Sequence, residues 1–225
     1  MGSSDDAVLH IETVQGTAIR NLFEAMKDIL CDVNFVCDPE GDEPGLKVLC
    51  MDSSHTALVS CKLEKKSFEK FDVKRRLHMG LNITHLHKLL KSISNSDSLT
   101  FRIDNNDECR LNIIIQNPDK HSRTKFCLNL LDIDQPHFDI PDTVFESVIT
   151  MPSTDLQRLC RDMGQISETV KFTTSAEKIT IECHGDFASQ TTDICQTSNG
   201  LLISNQTQSD RTEECSSGTF SLKFL

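Results

Sequence analysis

Three segments of this 225-residue chain each carry two cationic side chains, at spacings that a helix would place on one side. Arginine and lysine grouped in this way attract phosphate groups, which they contact without reading base sequence. The six residues are Arg20, Lys27, Lys88, Lys91, Arg158 and Arg161. They form a cationic pair in each segment that an anionic partner could contact, although an ordinary solvated helix surface would produce the same pattern.

Residues that could catalyse a reaction are scarce by comparison. His55 follows Asp52, Ser53 and Ser54 directly, but neighbours in sequence rarely adopt the geometry of a catalytic triad. The sequence contains no glycine-rich phosphate loop and no nucleophile elbow. We therefore expect a protein that is not an enzyme and that uses no cofactor.

Metal-ligand residue types come close together at His85 and His87 and at Cys183-His184. Positions two apart on a helix point to different faces, and none of the ten cysteines belongs to a Cys-x-x-Cys pair, so we expect no metal site. Reduced thiols are expected instead, because several cysteines fall at apolar positions of apparent strands or helices, where the thiol acts as a small hydrophobe. These are Cys50, Cys61, Cys127, Cys160 and Cys195.

The formal net charge is −11, from 23 basic and 34 acidic residues. A protein that binds duplex DNA with its whole surface should be basic, so any DNA contact must be confined to a local basic face. No apolar run approaches the roughly 20 residues that cross a bilayer. The first residues also lack the basic and apolar regions of a signal peptide, so we expect an intracellular protein without membrane contact.

Apolar residues at helical spacing predict three amphipathic helices, at 18–30, 83–93 and 154–164. Asn82 and Ser153 stand where the N-caps of the second and third helices are expected. The cationic pairs lie off the apolar stripes, so each helix would present them away from the core.

Short segments rich in β-branched and apolar residues predict antiparallel strands. In the first half these are 46–51, 56–63, 98–103, 110–115 and 124–131, and in the second half 144–150, 169–174, 178–183 and 191–197. Strand, polar turn and amphipathic helix follow in the same order from His10 to Ile29 and from Val148 to Ile166. We therefore expect two similar α+β domains, related by a repeat of about 130 residues.

Residues 132–142, DIDQPHFDIPD, separate the two halves. Two prolines and four aspartates without periodicity exclude a central strand or helix and predict an exposed crossover between domains 8–131 and 143–225. Phe138 and Ile140 have no obvious core to join in this segment. They hint at a docking surface for another protein.

Several segments resemble the eukaryotic-type sliding clamps of the proliferating cell nuclear antigen family, in the family's order and nearly its spacing. The most specific is Met51-Asp52-Ser53-Ser54-His55, which is similar to the family's central-loop signature. The others are Leu77–Asn82, Lys88–Lys91, Leu131–Asp134, Ile140-Pro141, Met151–Ser153, Cys160–Asp162 and Gln196–Asn199. The resemblance covers roughly residues 8–225.

The resemblance implies the α+β DNA clamp fold, with two similar domains per subunit, antiparallel sheets outside and helices lining a ring. It implies a DNA polymerase processivity factor, a homotrimer that encircles double-stranded DNA in the nucleus. Its partners would be a DNA polymerase, a clamp loader and other proteins with clamp-binding peptide motifs. The acidic surplus would then cover the sheets and the outer rim.

The resemblance also assigns residues to these roles. The six cations match positions on the family's lining helices, and segments Arg123–Leu131 and Thr191–Thr197 match its ring-closing strands. The positions that match its partner-peptide pocket are Met51, His55, Leu58, Phe138 and Ile140. For Met51 and Leu58, packing in the core explains the residue type equally well.

Residues Gly218–Leu225 resemble the opening of the second domain's last helix, so the family's final strands are expected to be absent and this domain incomplete at its C-terminus. Two other interpretations stay open: a subunit of a heterotrimeric checkpoint clamp, and an acidic interaction protein that does not bind DNA. Segments Met51–His55 and Gln196–Asn199 favour the replication-type clamp. The cationic pairs argue against the acidic interaction protein.

Overall fold

The computed structural model describes residues 6–40, 43–134, 140, 143–145, 147–175, 177–197, 200–205 and 216–225. The chain divides into two compact units, Met1–His137 and Phe138–Leu225, called here the first and second unit. Among the described residues, no helix is both long and apolar enough to cross a membrane.

The first unit contains nine strands and two α-helices among its described residues. In chain order they are β1 (Ala7–Thr13), α1 (Gly16–Met26), β2 (Asp32–Asp38), β3 (Gly45–Met51), β4 (Leu58–Glu64), β5 (Lys70–Val73), β6 (Leu77–Asn82), α2 (Ile83–Leu90), β7 (Ser98–Asp104), β8 (Asp107–Asn117) and β9 (Ser122–Asn129). All strand pairs are antiparallel, and the two sheets have the orders β5-β1-β7-β8-β9 and β4-β3-β2-β6.

One hydrophobic core joins both sheets and both helices of the first unit. Alternate residues of the strands point into it, while Phe23 of α1 and Leu86 of α2 enter it from the helices. Burying a side chain of this size stabilises the fold by about 1.5–3 kcal/mol relative to leaving it in water. The apolar stripes therefore hold the helices by one face and leave the opposite face polar.

The second unit contains β10 (Ser147–Thr150), α3 (Ser153–Met163), β11 (Thr169–Thr174), β12 (Lys178–His184), β13 (Ser189–Cys195), β14 (Leu202–Asn205) and β15 (Ser216–Ser221). Its sheets have the orders β13-β12-β11-β15 and β10-β14. Among the described residues its core cluster is small, with Met163 of α3 packed among residues such as Ile179 and Ile181.

The two units repeat one topology. The order β4-β3-β2-β6 in the first unit corresponds to β13-β12-β11-β15 in the second, and β1-β5 corresponds to β10-β14. α1 and α3 each follow the first strand of their unit. The α+β class with antiparallel sheets, expected from the sequence, is confirmed.

The helix ends differ from the prediction in part. α1 begins at Gly16 and ends at Met26, whereas the prediction was 18–30. α2 ends at Leu90, whereas the prediction extended to 93. A turn follows α2, in which the Asp97 side chain accepts a hydrogen bond from Ser94 N at 2.8 Å. The predicted cap of α2 is confirmed, since Asn82 Oδ1 accepts from His85 N at 2.9 Å.

The cap predicted at Ser153 is wrong. Ser153 is the first residue of α3, and the N-cap is Pro152, which makes no side-chain capping hydrogen bond. Residues 218–221 also differ from the expected helix opening, because they belong to β15 and pair with β11. Only Leu222–Phe224 form a short 3-10 turn.

The cysteines that the structure describes are reduced thiols. Cys50 is buried and Cys61 and Cys160 are partly buried, whereas Cys127 and Cys195 are exposed, so the apolar environment expected for these last two is wrong. The reason is strand alternation: Phe126 and Leu128 take the core side of β9, which turns Cys127 outward.

Candidate functional site

The two helices of the first unit are in contact. Arg20 lies in α1 and Lys27 at its C-cap, and Lys88 lies in α2 and Lys91 at its C-cap. Arg20 is partly buried, and its Nη1 donates to the carbonyl oxygen of Ile93 at 2.9 Å, which ties α1 to the segment after α2. This guanidinium therefore has a structural partner already.

Two other predicted cations have acidic partners. Lys27 Nζ lies 2.9 Å from Asp28 Oδ1, at the C-terminal cap of α1. In α3, Arg158 Nη2 lies 3.6 Å from Asp155 Oδ1, and both side chains are well exposed. We call Arg20, Lys27 and Arg158 the engaged cations.

The remaining three cations are exposed on the helices, and their side chains make no ion pair or hydrogen bond with any residue that the structure describes. They are Lys88, Lys91 and Arg161, and we call them the free cations. Lys91 is the C-cap of α2, and Arg161 lies in the last turn of α3. A positive charge at the C-terminal end of a helix interacts favourably with the helix dipole. Three exposed cations are thus available to an anionic partner.

Met51 and Leu58 lie directly opposite each other at the end of the β3–β4 hairpin, where they are 39% and 40% exposed. The core side of these strands is taken by Cys50 and Val59, which also form a pair. Because strand residues alternate between faces, Met51 and Leu58 form an apolar pair on the outer face. Packing in the core, the alternative for both residues, is excluded.

The loop between these strands, residues 52–57, closes around Asp52, which is 3% exposed. Asp52 Oδ1 accepts from Thr56 N and Ala57 N at 2.7 Å each. Its Oδ2 accepts from Ser54 N at 3.1 Å and from Ser54 Oγ. These bonds, that of Ala57 N first, hold the pKa of the Asp52 carboxyl well below its usual range. His55 is exposed and has a left-handed backbone, with φ of 55°.

The segment after β9 lies along β6, at the other edge of the same sheet. Leu131 forms an antiparallel bridge with Gly80, and Leu131 N donates to Gly80 O at 2.8 Å. Asn34 Nδ2 donates to Ile133 O at 2.9 Å. The loop between β3 and β4 and the start of the crossover thus belong to opposite sides of one four-stranded sheet.

Two predicted docking residues fall further along the chain. Phe138 lies outside the described residues, and Ile140 is 51% exposed. Val144 and Phe145 are 81% and 63% exposed, and neither was predicted as a docking residue from the sequence.

The two segments that match ring-closing strands are both sheet edges. β9 ends one sheet of the first unit, and β13 ends the four-stranded sheet of the second unit. An edge strand presents unpaired backbone N–H and C=O groups that can pair with another strand.

Among the described residues, no three metal-ligating side chains come together. His85 is exposed and His87 partly buried on α2, while Cys183 is buried and His184 exposed on β12. Neither of the two close pairs noted in the sequence therefore forms a cluster.

Comparison with known proteins identifies the family. The N-terminal domain model of proliferating cell nuclear antigen matches residues 8–137, and the C-terminal domain model matches residues 139–225. The chain belongs to the proliferating cell nuclear antigen family. A family fold also explains why one topology occurs in both units.

Members of the proliferating cell nuclear antigen family align with nearly the whole chain. A protein called probable DNA polymerase sliding clamp 1, from Paramecium bursaria Chlorella virus 1, is 33% identical over 98% of this chain and 82% of its own length. The proliferating cell nuclear antigen of Chaetomium thermophilum is 31% identical over 97% of this chain and 82% of its own length. That of Dictyostelium discoideum is also 31% identical, over 94% and 81%.

A solved structure shows the same fold. The crystal structure of proliferating cellular nuclear antigen from Entamoeba histolytica superimposes with a TM-score of 0.83 at 24% identity, covering 96% of this chain and 82% of that one. This chain and the Entamoeba histolytica protein therefore have the same fold. The DNA clamp fold predicted from the sequence is confirmed.

Proposed function

We propose that this chain is a DNA polymerase processivity factor, the subunit of a sliding clamp that encircles duplex DNA. The observation that carries the proposal is the set of free cations, exposed on helices of a chain whose net charge is −11. They offer phosphate contacts on helices of both units, and a viral member of the family is called probable DNA polymerase sliding clamp 1.

The mechanism is topological retention without catalysis. A closed ring stays on the duplex even when every contact is weak, so its helices need only loose phosphate attraction. Lysine and arginine on flexible side chains can pass from one phosphate to the next as the ring moves. Tight or base-specific contacts would stop the movement.

Ring closure is proposed through the two edge strands, β9 of one subunit pairing with β13 of the next. Both edges lie in antiparallel sheets, so the pairing would continue a sheet from subunit to subunit. Three head-to-tail copies would form a homotrimer. Each subunit would use clamp domains at residues 8–131 and 143–225, joined by the connector at 132–142.

Partner docking is proposed at the β3–β4 loop together with the connector. Met51, His55 and Leu58 are exposed at the loop, and Ile140 is exposed in the connector. Apolar anchors of a short partner peptide would bind these side chains, as hot-spot residues do in other interfaces, and Phe138 is proposed to join them. The partners would be a DNA polymerase, a clamp loader and other proteins with such motifs.

The deciding experiment is primer extension on a primed circular template with the cognate polymerase and loader. Product length should increase when the full chain is added, and the increase should disappear on a linear template with open ends, from which a ring slides off. Equal stimulation on both templates would contradict a sliding clamp. Because relatives include nuclear antigens of two eukaryotes, we place its action in the nucleus, which imaging of a fluorescent fusion in the host would test.

A further inference from the structure

We propose that Asp52 is a positioning residue for partner docking: its buried carboxylate holds residues 52–57 in the shape that presents His55 between Met51 and Leu58. The inference rests on the proposed docking function, but its structural part can be tested without any partner. Asp52 itself is 3% exposed, so it acts through the residues around it.

The first argument concerns what Asp52 binds. Its oxygens accept from three backbone N–H groups and one hydroxyl, all within its own loop, and within the described residues it has no basic partner. A carboxylate withdrawn from water is unfavourable unless hydrogen bonds replace its hydration. Four donors supply them, so burial of the carboxylate and the shape of the loop depend on each other.

The second argument concerns the backbone. His55 N donates to Asp52 O at 3.0 Å, and Asp52 N donates to Ala57 O at 3.0 Å, which closes the loop at both ends. Between them His55 has φ of 55°, a region that residues with a side chain adopt at a cost. A costly conformation kept at an exposed histidine points to a role in binding.

The third argument separates this role from general stability. None of residues 52–57 belongs to the hydrophobic core, and β3 and β4 are held by pairs that run from Gly45↔Glu64 to Met51↔Leu58. The hairpin can therefore survive a change of loop shape. Asp52→Asn is the sharpest substitution, because it keeps the size of the side chain but places an NH2 group against donors.

The structural test is backbone amide exchange of Thr56 and Ala57 in the full chain without partner. We expect both amides to exchange about tenfold faster or more in Asp52→Asn, since the charged oxygen to which both donate is replaced by a neutral amide group, which is a weaker acceptor. Amides within β3 and β4 should be unchanged, as should all amides of the matched variant Asp72→Asn, whose carboxylate is exposed on β5. Unchanged exchange at Thr56 and Ala57 would overturn the inference.

The functional test is calorimetric titration with a synthetic peptide carrying the clamp-binding motif of the cognate polymerase. Peptide affinity should fall about tenfold in Asp52→Asn and stay at the wild-type value in Asp72→Asn, with retention on circular DNA intact in both. Faster exchange with unchanged affinity would reject the positioning role. A wild-type chain that does not bind the peptide would instead reject the proposed docking function, so the two failures are distinguishable.

Discussion

Gly80 lies so close to Leu131 that a Cβ atom at position 80 would come within 2.1 Å of the Leu131 carbonyl oxygen. The bridge between these residues fixes the start of the connector against β6. Only a residue without a side chain permits that approach, so position 80 links the second sheet of the first unit to the proposed docking segment.

Gly80→Ala should therefore push the connector away from β6. We expect the free energy of unfolding to fall by about 1–3 kcal/mol, as overpacking commonly causes. Partner-peptide affinity should fall with it. Chemical denaturation and calorimetric titration measure the two effects, with His78→Ala, exposed on the same strand, as the control. Wild-type values in Gly80→Ala would show that the connector can shift without consequence.

The free and engaged cations provide two sets of three charges for comparison. Replacing the free cations by Gln should weaken retention of the ring on DNA and flatten its dependence on salt, by up to about 0.9 in log–log slope for each phosphate that is no longer neutralised. Replacing the engaged cations removes the same charge but should have a smaller effect, because their side chains already have partners. Retention at several salt concentrations measures both. Equal effects would mean that net charge alone matters.

Ring closure can be tested at Cys127, which is exposed on the edge strand β9. Cys127→Pro removes a backbone N–H and should shift the chain from trimer to monomer in solution scattering. Cys127→Ser keeps the N–H and should leave the assembly unchanged. A Cys127→Pro chain that still forms trimers would place the interface on another strand.

His10 gives a pH dependence in the first unit. Burial first, and then the charge of Lys70, lower the pKa of His10, while Glu12 and Asp72 partly oppose this. The unfolded chain therefore binds a proton more readily, so stability should fall as pH drops below the unfolded value of about 6.5. His10→Gln should reduce the loss of melting temperature between pH 7.5 and pH 5.5. An equal loss in both proteins would assign the pH dependence to other groups.

Local patterns predicted most of the secondary structure, because apolar periodicity and polar turns depend on neighbouring residues. The cap at Asn82 is an example, since donor and acceptor are three residues apart. The cap predicted at Ser153 is wrong for a reason that is equally local. Pro152, with φ of −58° and ψ of 129°, occupies the cap position, and Ser153 is the first residue of the helix. Lys88, Lys91, Arg158 and Arg161 are exposed, as their positions off the apolar stripes predict, whereas Arg20 and Lys27 are partly buried.

Interactions between distant residues could not be predicted in this way. Nothing in the sequence near Arg20 indicates that it donates to Ile93, 73 residues away, or that Asn34 binds the connector at Ile133. The burial of Asp52 could not be predicted either, although the residue belongs to the segment that resembles the family's central loop, because a buried carboxylate and an exposed one look alike in a sequence. Which cations are free depends on such interactions, and only the folded chain reveals them.

The two units share a topology, but among the residues that the structure describes their cores differ in size: the core of the first unit joins two sheets and two helices, whereas the cluster around Met163 in the second unit is small. Local opening requires less free energy where fewer apolar side chains must separate. The second unit should therefore open first under mild stress and be cut first by a protease, while the first unit persists as the slower-exchanging part. Because the cores are unequal, the folded state of the first unit should persist longer than the folded state of the second unit in the same chain.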